Sequence, residues 1–216
     1  ILAHMCQDSG LLKAFHDGED VHNATASTVY DVAHDQVTPD MRRIAKIMNF
    51  GVVYGLGVFG IQQQTGLKAA EGRDFIETYF GKYPGIQDYI ERTKADAARD
   101  GYVQTLLGRR RYIPEVQSNN HHIKSAGERM AINMPIQGTA ADIIKLAMVR
   151  IQKEIDKLNL RSLMIIQVHD ELIFEVPEDE LGVMESTILE LMPKAIEIDV
   201  PLEIELKTGR TWGDMG

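Results

Sequence analysis

Apolar residues along the 216-residue chain recur mostly every three or four positions, which is the spacing of an amphipathic α-helix. This pattern predicts helices over residues 1–16, 20–30, 38–54, 68–80, 84–99, 119–159 and 177–195. Thr38 and Pro39 are a strong start signal for the third helix, and Gly55 is a signal for its end. We expect the longest helix to break at Pro135, because proline lacks the amide hydrogen that a helix interior uses.

Shorter apolar segments predict strands over residues 102–105, 111–113, 163–168, 171–176 and 202–207. The first two flank a turn at Gly108, and the next two flank a polar turn at His169 and Asp170. Together with the helices, they predict an α+β fold that is mostly helical, with a small antiparallel sheet near the carboxyl terminus.

The composition excludes several classes of protein. At 44% hydrophobic and 25% charged residues, the chain is an ordinary globular sequence and not a disordered one. No apolar run approaches the ~18 residues of a membrane span, so we expect no contact with a membrane. The single cysteine, Cys6, has no partner for an internal disulfide, which favours a reducing, cytoplasmic location. The chain starts at Ile1 without an initiator methionine, and we expect it to be part of a longer protein.

Charge is distributed unevenly, and this changes the meaning of the overall net charge of −9. An acidic protein is at first sight a poor partner for nucleic acid. Residues 42–129, however, carry a net charge of +5, between segments of −6 and −8. A basic middle segment therefore remains available for anionic ligands.

The helix predicted over residues 38–54 carries a basic and aromatic stripe. Arg42, Lys46, Phe50 and Tyr54 are spaced by four residues and drift only slowly around the helix. Arginine and lysine one turn apart suit consecutive phosphates, and the aromatic rings could stack on a base or sugar. The alternative is an ordinary surface helix with a solvated basic face.

A second motif follows directly. The segment from Gly55 to Gly60 matches G-x-G-x-x-G, the phosphate-binding signature of dinucleotide-binding oxidoreductases. The rest of that unit is missing, because residues 61–66 look too short and too glutamine-rich for a packed crossover helix. We keep a dinucleotide-binding enzyme as a weak alternative.

The turn between the strands predicted over residues 163–168 and 171–176 carries adjacent carboxylates, Asp170 and Glu171. Mg²⁺ needs only one or two protein carboxylates when substrate phosphates supply further ligands. The flanking strands are apolar enough to be buried on both faces, which would hold the turn rigidly. No second histidine or cysteine accompanies His169 at a ligand spacing, so zinc is disfavoured. The alternative is a pair of solvated turn residues.

Four segments, in order along the chain, resemble the family A DNA polymerases of the bacterial DNA polymerase I type. They are residues 42–55, 108–114, 128–142 and 167–172. The resemblance extends from Ile1 to Trp212 and implies an incomplete right-hand polymerase fold. By that resemblance, residues 1–37 form a palm-to-fingers helical segment, residues 38–128 the fingers, and residues 129–216 the carboxyl-terminal palm.

The resemblance also implies roles for individual residues. The nucleotide-binding residues would be His22, Arg42, Lys46, Phe50 and Tyr54, and Lys46 would also protonate the pyrophosphate leaving group. The residues that contact primer–template DNA would be Arg129, Asn133, Gln137, Gln167 and His169. Asp170 would be a metal ligand, with Glu171 supporting it less directly.

The implied reaction is template-directed DNA synthesis from deoxynucleoside triphosphates by a mechanism with two Mg²⁺ ions. In this family, a first palm motif reading Asp-Tyr-Ser-Gln-Ile-Glu comes immediately before a helix that begins like residues 1–4. The chain lacks that motif, the thumb and the rest of the palm. We therefore expect it to be inactive alone and active as part of a longer polymerase. A non-catalytic nucleic-acid-binding module derived from the same fold is the second alternative.

Overall fold

The computed structural model describes residues 1–53, 55 and 57–215, without the side chains of Val52 and Val53. The helices are α1 (Leu2–Cys6), α2 (Ser9–His16), α3 (Val21–Tyr30), α4 (Pro39–Val53), α5 (Val58–Thr65), α6 (Ala69–Lys82), α7 (Pro84–Asp100), α8 (His121–Leu158) and α9 (Leu181–Leu191). The strands are β1 (Tyr102–Gln104), β2 (Arg110–Tyr112), β3 (Leu163–Val168) and β4 (Glu171–Glu175). The predicted α+β, mostly helical fold is therefore confirmed.

The chain divides into two compact units, Ile1–Thr139 and Ala140–Gly216. Each contains one two-stranded antiparallel hairpin, β1–β2 in the first unit and β3–β4 in the second. Both hairpins were predicted from short apolar segments that flank a turn signal. The division into units falls within α8.

The single helix predicted over residues 1–16 is wrong, because the structure has two helices there. Gln7 adopts a left-handed conformation with φ +53°, which ends α1. Asp8 then begins α2 by accepting hydrogen bonds from the amides of Gly10 and Leu11 at 3.0 and 3.2 Å. Its second carboxylate oxygen accepts from the amide of Gly85 at 3.1 Å, so the break also ties α2 to α7. A carboxylate satisfied in this way favours a helix start over a helix interior.

The start of α4 follows the predicted capping chemistry. The Thr38 hydroxyl accepts from the amide of Met41 at 3.2 Å, and Pro39 is the first helical residue. Ile44 and Met48 are buried, so one face of the helix packs against the interior of the first unit. The opposite face is therefore left for the polar stripe.

Helix α5 was not predicted, since its sequence looked too polar to pack. Ile61 is fully buried and anchors it, and its side chain lies next to Gly72 of α6. The residues of α4 run up to Val53, so the segment ahead of Gly55 is helical as far as Val53 and not a strand. The dinucleotide-binding alternative, which requires a strand before its glycines, is therefore wrong.

The predicted break at Pro135 is also wrong, because α8 continues through it. A proline within a helix deprives a carbonyl one turn earlier of its amide donor. Near this point the Tyr89 hydroxyl donates to the main-chain oxygen of Ile132 at 3.0 Å. Ala131 and Ile132 are buried, so packing holds the helix together across the proline.

In the second unit, the hairpin packs on a helical core. Ile151, Ile155 and Met184 are buried there, and side chains of β3 and β4 such as Met164 and Phe174 pack against them. The other face of the hairpin is open, with Leu163 58% and Ile165 50% exposed. The expected burial on both faces is therefore wrong, because the helices of this unit cover one face.

The strand predicted over residues 202–207 is not formed. Leu202, Ile204 and Leu206 are half-buried and alternate with exposed residues, as the pattern predicts. A strand also needs a hydrogen-bonded neighbour, and none of the strands in the described part of the chain pairs with this segment. The helix predicted over residues 177–195 is shorter, since α9 ends at Leu191.

Candidate functional site

Helix α4 presents the predicted stripe on its open face. Arg42 and Lys46 are exposed, and Phe50 is 51% exposed although it is a large apolar residue. The fourth member of the stripe, Tyr54, lies outside the described residues. An exposed aromatic ring beyond two cations is suited to contact a flat ligand group that carries phosphates.

Arg42 forms an ion pair that the sequence did not indicate. Its Nε and Nη2 atoms donate to the Asp20 carboxylate at 2.9 and 2.5 Å. Asp20 also caps α3, accepting from the amides of His22 and Asn23 at 2.9 and 3.1 Å. Partial burial alone would raise the pKa of Asp20, but the bonds from Arg42 and the two amides outweigh it and lower the pKa. The carboxylate therefore holds the guanidinium beside the first turn of α3.

His22, in that first turn, lies against the stripe. Its ring centroid is 5.6 Å from that of Phe50, and its Nδ1 atom is 3.1 Å from the Nδ2 atom of Asn49. Burial lowers the pKa of His22; Asp20 opposes this shift, and the cations Arg42 and Lys46 reinforce it. The lowered pKa favours the neutral form of the imidazole.

Asn49 is the centre of a buried polar network behind the stripe. Its Nδ2 atom donates to the Thr25 hydroxyl at 3.0 Å, and its Oδ1 atom accepts from the Tyr79 hydroxyl at 3.1 Å. Tyr79 is fully buried, and this burial raises the pKa of its phenol. The network joins α3, α4 and α6. Sequence spacing placed Asn49 beside Arg42 but did not reveal Thr25 or Tyr79 as its partners.

A second stripe lies on α8, where Arg129, Asn133 and Gln137 are also spaced by four residues. Arg129 donates to the Ser125 hydroxyl at 2.9 Å, and Gln137 is exposed. The Oδ1 atom of Asn133 is buried and makes no hydrogen bond to any described residue. It is therefore an acceptor that a ligand could satisfy.

Arg129 also lies against Gly55, which follows the stripe of α4 in the sequence. Gly55 has φ +66°, and a Cβ atom built on it would be 2.6 Å from Cγ of Arg129. Only glycine combines this conformation with so close an approach. Gly55 thus has a packing role that does not involve dinucleotide binding.

The polar turn of the second unit presents its two carboxylates to solvent. Asp170 and Glu171 are exposed, and neither makes an ion pair with another described residue. Gln167 donates to the main-chain oxygen of His169 at 2.7 Å, and His169 turns the chain with φ +51°. Across the described ranges, no group of three or more histidine, cysteine or acidic residues is placed to hold a metal. The turn therefore offers one carboxylate pair.

None of the described helices is both long and apolar enough to cross a membrane. The cations of the α4 stripe suit phosphate groups, and the adjacent carboxylates of the β3–β4 turn suit a hard cation such as Mg²⁺. The family model described as DNA polymerase family A matches residues 1–214, and the chain belongs to that family.

Relatives and a solved structure agree with this assignment. The chain is 44% identical over 213 residues to DNA polymerase I of Mycobacterium leprae, and 46% identical over 214 residues to that of Pseudomonas aeruginosa. Each match covers 99% of this chain and 23% of the relative. The polymerase domain of Pol1 from M. smegmatis, in complex with DNA primer–template and dNTP, matches with a TM-score of 0.94 at 45% identity. That match covers 99% of this chain and 38% of the other.

Proposed function

We propose that the chain is part of a DNA-directed DNA polymerase that adds deoxynucleotides to a primer 3′-hydroxyl and releases pyrophosphate. The observation that carries the proposal is the open face of α4, where Arg42, Lys46 and Phe50 lie together with His22 beside them. Membership of DNA polymerase family A supports the reaction class.

In this proposal, the first unit holds the incoming nucleotide. Arg42 and Lys46 bind the triphosphate, and His22 adds a neutral hydrogen-bond donor. Lys46 also donates a proton to the pyrophosphate as it leaves. Phe50 packs on the sugar, and Tyr54 stacks near the templating base. The exposed positions of Arg42, Lys46 and Phe50 support these roles.

The same proposal assigns the DNA contacts to two groups of residues. Arg129, Asn133 and Gln137 contact the minor groove of the primer–template, and Gln167 and His169 lie near the primer terminus. Minor-groove acceptors are common to all base pairs, so such contacts check geometry and not sequence. Gln137 is exposed, and its NH₂ group could donate to such acceptors, which supports a contact at this position.

Asp170 and Glu171 are the proposed protein ligands for Mg²⁺. The fit is good for a hard cation that takes one or two carboxylates, because both side chains are exposed and outside ion pairs with described residues. When bound, two such ions would activate the primer hydroxyl and offset triphosphate charge. A single carboxylate pair is insufficient to hold both, so we infer that a further aspartate from the longer polymerase completes the site.

The proposed organisation is a palm-to-fingers segment at 1–37, fingers at 38–128 and carboxyl-terminal palm at 129–216. The partners are primer–template DNA, deoxynucleoside triphosphates, and the thumb and remaining palm of the polymerase. The single Cys6 is a buried free thiol, which fits a reducing compartment such as the cytoplasm.

The test is primer extension by the complete polymerase in which this chain is a segment. Asp170→Ala should abolish Mg²⁺-dependent extension, because the carboxylate that binds the metal is lost. Asp156→Ala removes an exposed carboxylate on α8 that bonds only Gln152 among the described residues, and it should extend primers normally. Robust extension by the Asp170→Ala enzyme would exclude the metal assignment.

A further inference from the structure

The hydrogen-bond network of Asn49 behind the stripe of α4 has a definite arrangement of hydrogen atoms, and Thr25 determines it. The Thr25 hydroxyl donates to the main-chain oxygen of Val21 at 2.7 Å, one turn earlier in α3. A hydroxyl has one proton, and the other acceptor within reach, the Asn49 Oδ1 atom, is much farther away at 3.4 Å. Because the proton lies on the short bond to Val21, the Thr25 oxygen accepts from the Asn49 Nδ2 atom at 3.0 Å.

This restriction fixes the orientation of the Asn49 amide. The NH₂ group must face Thr25, since the amide oxygen in that position would oppose another acceptor at 3.0 Å. The amide oxygen then faces Tyr79, whose hydroxyl donates to it at 3.1 Å. In this orientation both polar atoms of the Asn49 side chain have a partner while the Thr25 proton keeps its short bond to Val21.

The second hydrogen of the Asn49 NH₂ group points to Nδ1 of His22 at 3.1 Å. Nδ1 must therefore accept, and the ring proton must be on Nε2. We propose that Asn49 and Thr25 are positioning residues that hold His22 as the neutral Nε2–H tautomer, which presents a hydrogen-bond donor beside the cationic stripe.

The charges around His22 are compatible with this state. Asp20 lies two residues earlier in the chain, and its carboxylate is held by Arg42. On the facing helix α4, Arg42 and Lys46 disfavour a third positive charge. The Phe50 ring lies beside the imidazole in a tilted contact with 5.6 Å between the ring centroids, and the Tyr79 hydroxyl on α6 bonds Asn49. In the described part of the chain, Nε2 makes no hydrogen bond, so it remains available to a ligand.

The use of this donor rests on the proposed function. An Nε2–H group donates to a phosphate oxygen, whereas the other tautomer would present a lone pair and repel it. A ring fixed in advance also costs less entropy on binding than a freely rotating one. The positioning residues would therefore increase nucleotide affinity without contacting the nucleotide.

The tautomer can be measured directly by NMR on the chain with ¹⁵N-labelled histidine. His22→Gln identifies the His22 signals by their loss, and the exposed His16 ring serves as an internal reference. The expected result near pH 7 is one species with Nε2 protonated and Nδ1 unprotonated. An Nδ1–H species, an even mixture or an imidazolium would overturn the proposal.

Three variants separate positioning from general stability. Thr25→Val frees the Asn49 amide to rotate and should give a mixture of tautomers, whereas Thr25→Ser keeps the hydroxyl and should restore the single species. Asn49→Asp places an acceptor at Nδ1 and should raise the pKa of His22 by about 1 to 3. If Asn49→Asp does not fold, the comparison of Thr25→Val with Thr25→Ser still tests whether Thr25 sets the tautomer of His22. An unchanged tautomer in Thr25→Val would overturn the proposal.

Binding of dATP with Mg²⁺ provides an independent measurement. Thr25→Val should weaken binding about fivefold, the value of one net hydrogen bond, and Thr25→Ser should restore it. If the wild-type chain has the expected tautomer but does not bind dATP, the proposed function fails and the positioning inference stands. If dATP binds with full affinity to Thr25→Val despite mixed tautomers, the positioning role in binding is wrong.

Discussion

At the scale of single residues, Arg42, the proposed triphosphate contact, already forms an ion pair within the protein. Arg42 is paired with Asp20, and both side chains are more than 40% exposed. An exposed pair of this kind contributes little to stability, because water screens it. A triphosphate can therefore take the place of Asp20 at low cost, and Asp20 keeps its hydrogen bonds to the amides of α3.

Arg42→Ala tests this exchange. Because charge-assisted hydrogen bonds to phosphate are strong, the substitution should weaken dATP binding by about tenfold or more. Arg43→Ala removes the same charge from the adjacent position of α4, where the side chain bonds Asp40 and the main-chain oxygen of Gln64. The affinity of Arg43→Ala for dATP should stay within twofold of the wild-type affinity. Isothermal titration with dATP and Mg²⁺ measures both, and equal losses in the two variants would refute the assignment.

At the scale of elements, a buried carboxylate fixes the segment that leads into β3. Glu180, just before α9, accepts from the Ser162 hydroxyl at 2.6 Å and from the amides of Arg161 and Ser162 at 2.9 to 3.0 Å. These bonds, with the Ser162 hydroxyl contributing most, lower the pKa of Glu180 from 4.5 to about 2. The hairpin that carries Asp170 is thus anchored at its base by a single ionised side chain.

The stability that this anchor contributes depends on pH. A lowered pKa in the folded state means that the contribution is complete above pH 4.5 and is lost as the pH falls through about 2. Glu180→Gln should lower the midpoint temperature of unfolding by several degrees at pH 7. Between pH 4.5 and 2, the stability of this variant should fall less than the stability of the wild type. Circular dichroism melts measure this.

Glu178→Gln, at an exposed position two residues earlier, is the matched control and should melt like wild type at every pH. A Glu180→Gln protein with the same pH profile as wild type would contradict the anchor.

At the scale of the whole molecule, each unit has its own core. Ala97, Ile113 and Ala131 are among the buried residues of the first, and Ile151, Ile155 and Met184 form the second. The proposed nucleotide residues belong to the first unit and the carboxylate pair to the second. Catalysis as proposed therefore requires both units, together with a further carboxylate.

The chain by itself should bind primer–template DNA weakly and should not extend it, since one carboxylate pair cannot hold two Mg²⁺ ions. Because binding would depend on phosphate contacts from the basic segment 42–129, affinity should fall roughly tenfold or more between 50 and 200 mM salt. Fluorescence anisotropy measures binding, and a gel assay measures extension. The complete polymerase is the positive control for extension. Extension by the chain alone would contradict the proposed incomplete site.

The features that depend only on residues close together in the chain were predictable from the sequence. The start of α4 at Thr38, the stripe along its face, and the hairpin with Asp170 at its turn all depend on spacing and capping over a few residues. These features were recognisable from the sequence because helix and hairpin geometry repeats at fixed intervals.

Contacts between residues far apart in the sequence were decided by the tertiary structure alone. Asp20 reaches Arg42 across 22 positions, and Asn49 meets Tyr79 across 30, and no periodicity signals either contact. The same reason explains two wrong predictions. Helix α8 continues through Pro135 because packing holds it. Residues 202–207 form no strand because a strand needs a hydrogen-bonded neighbour. Apart from α5, the break between α1 and α2 and the continuation of α8 through Pro135, the sequence by itself determined the helices, the hairpins and the chemical groups they carry. Only packing decided which of those groups meet, because contacts between distant segments form where buried surfaces fit together.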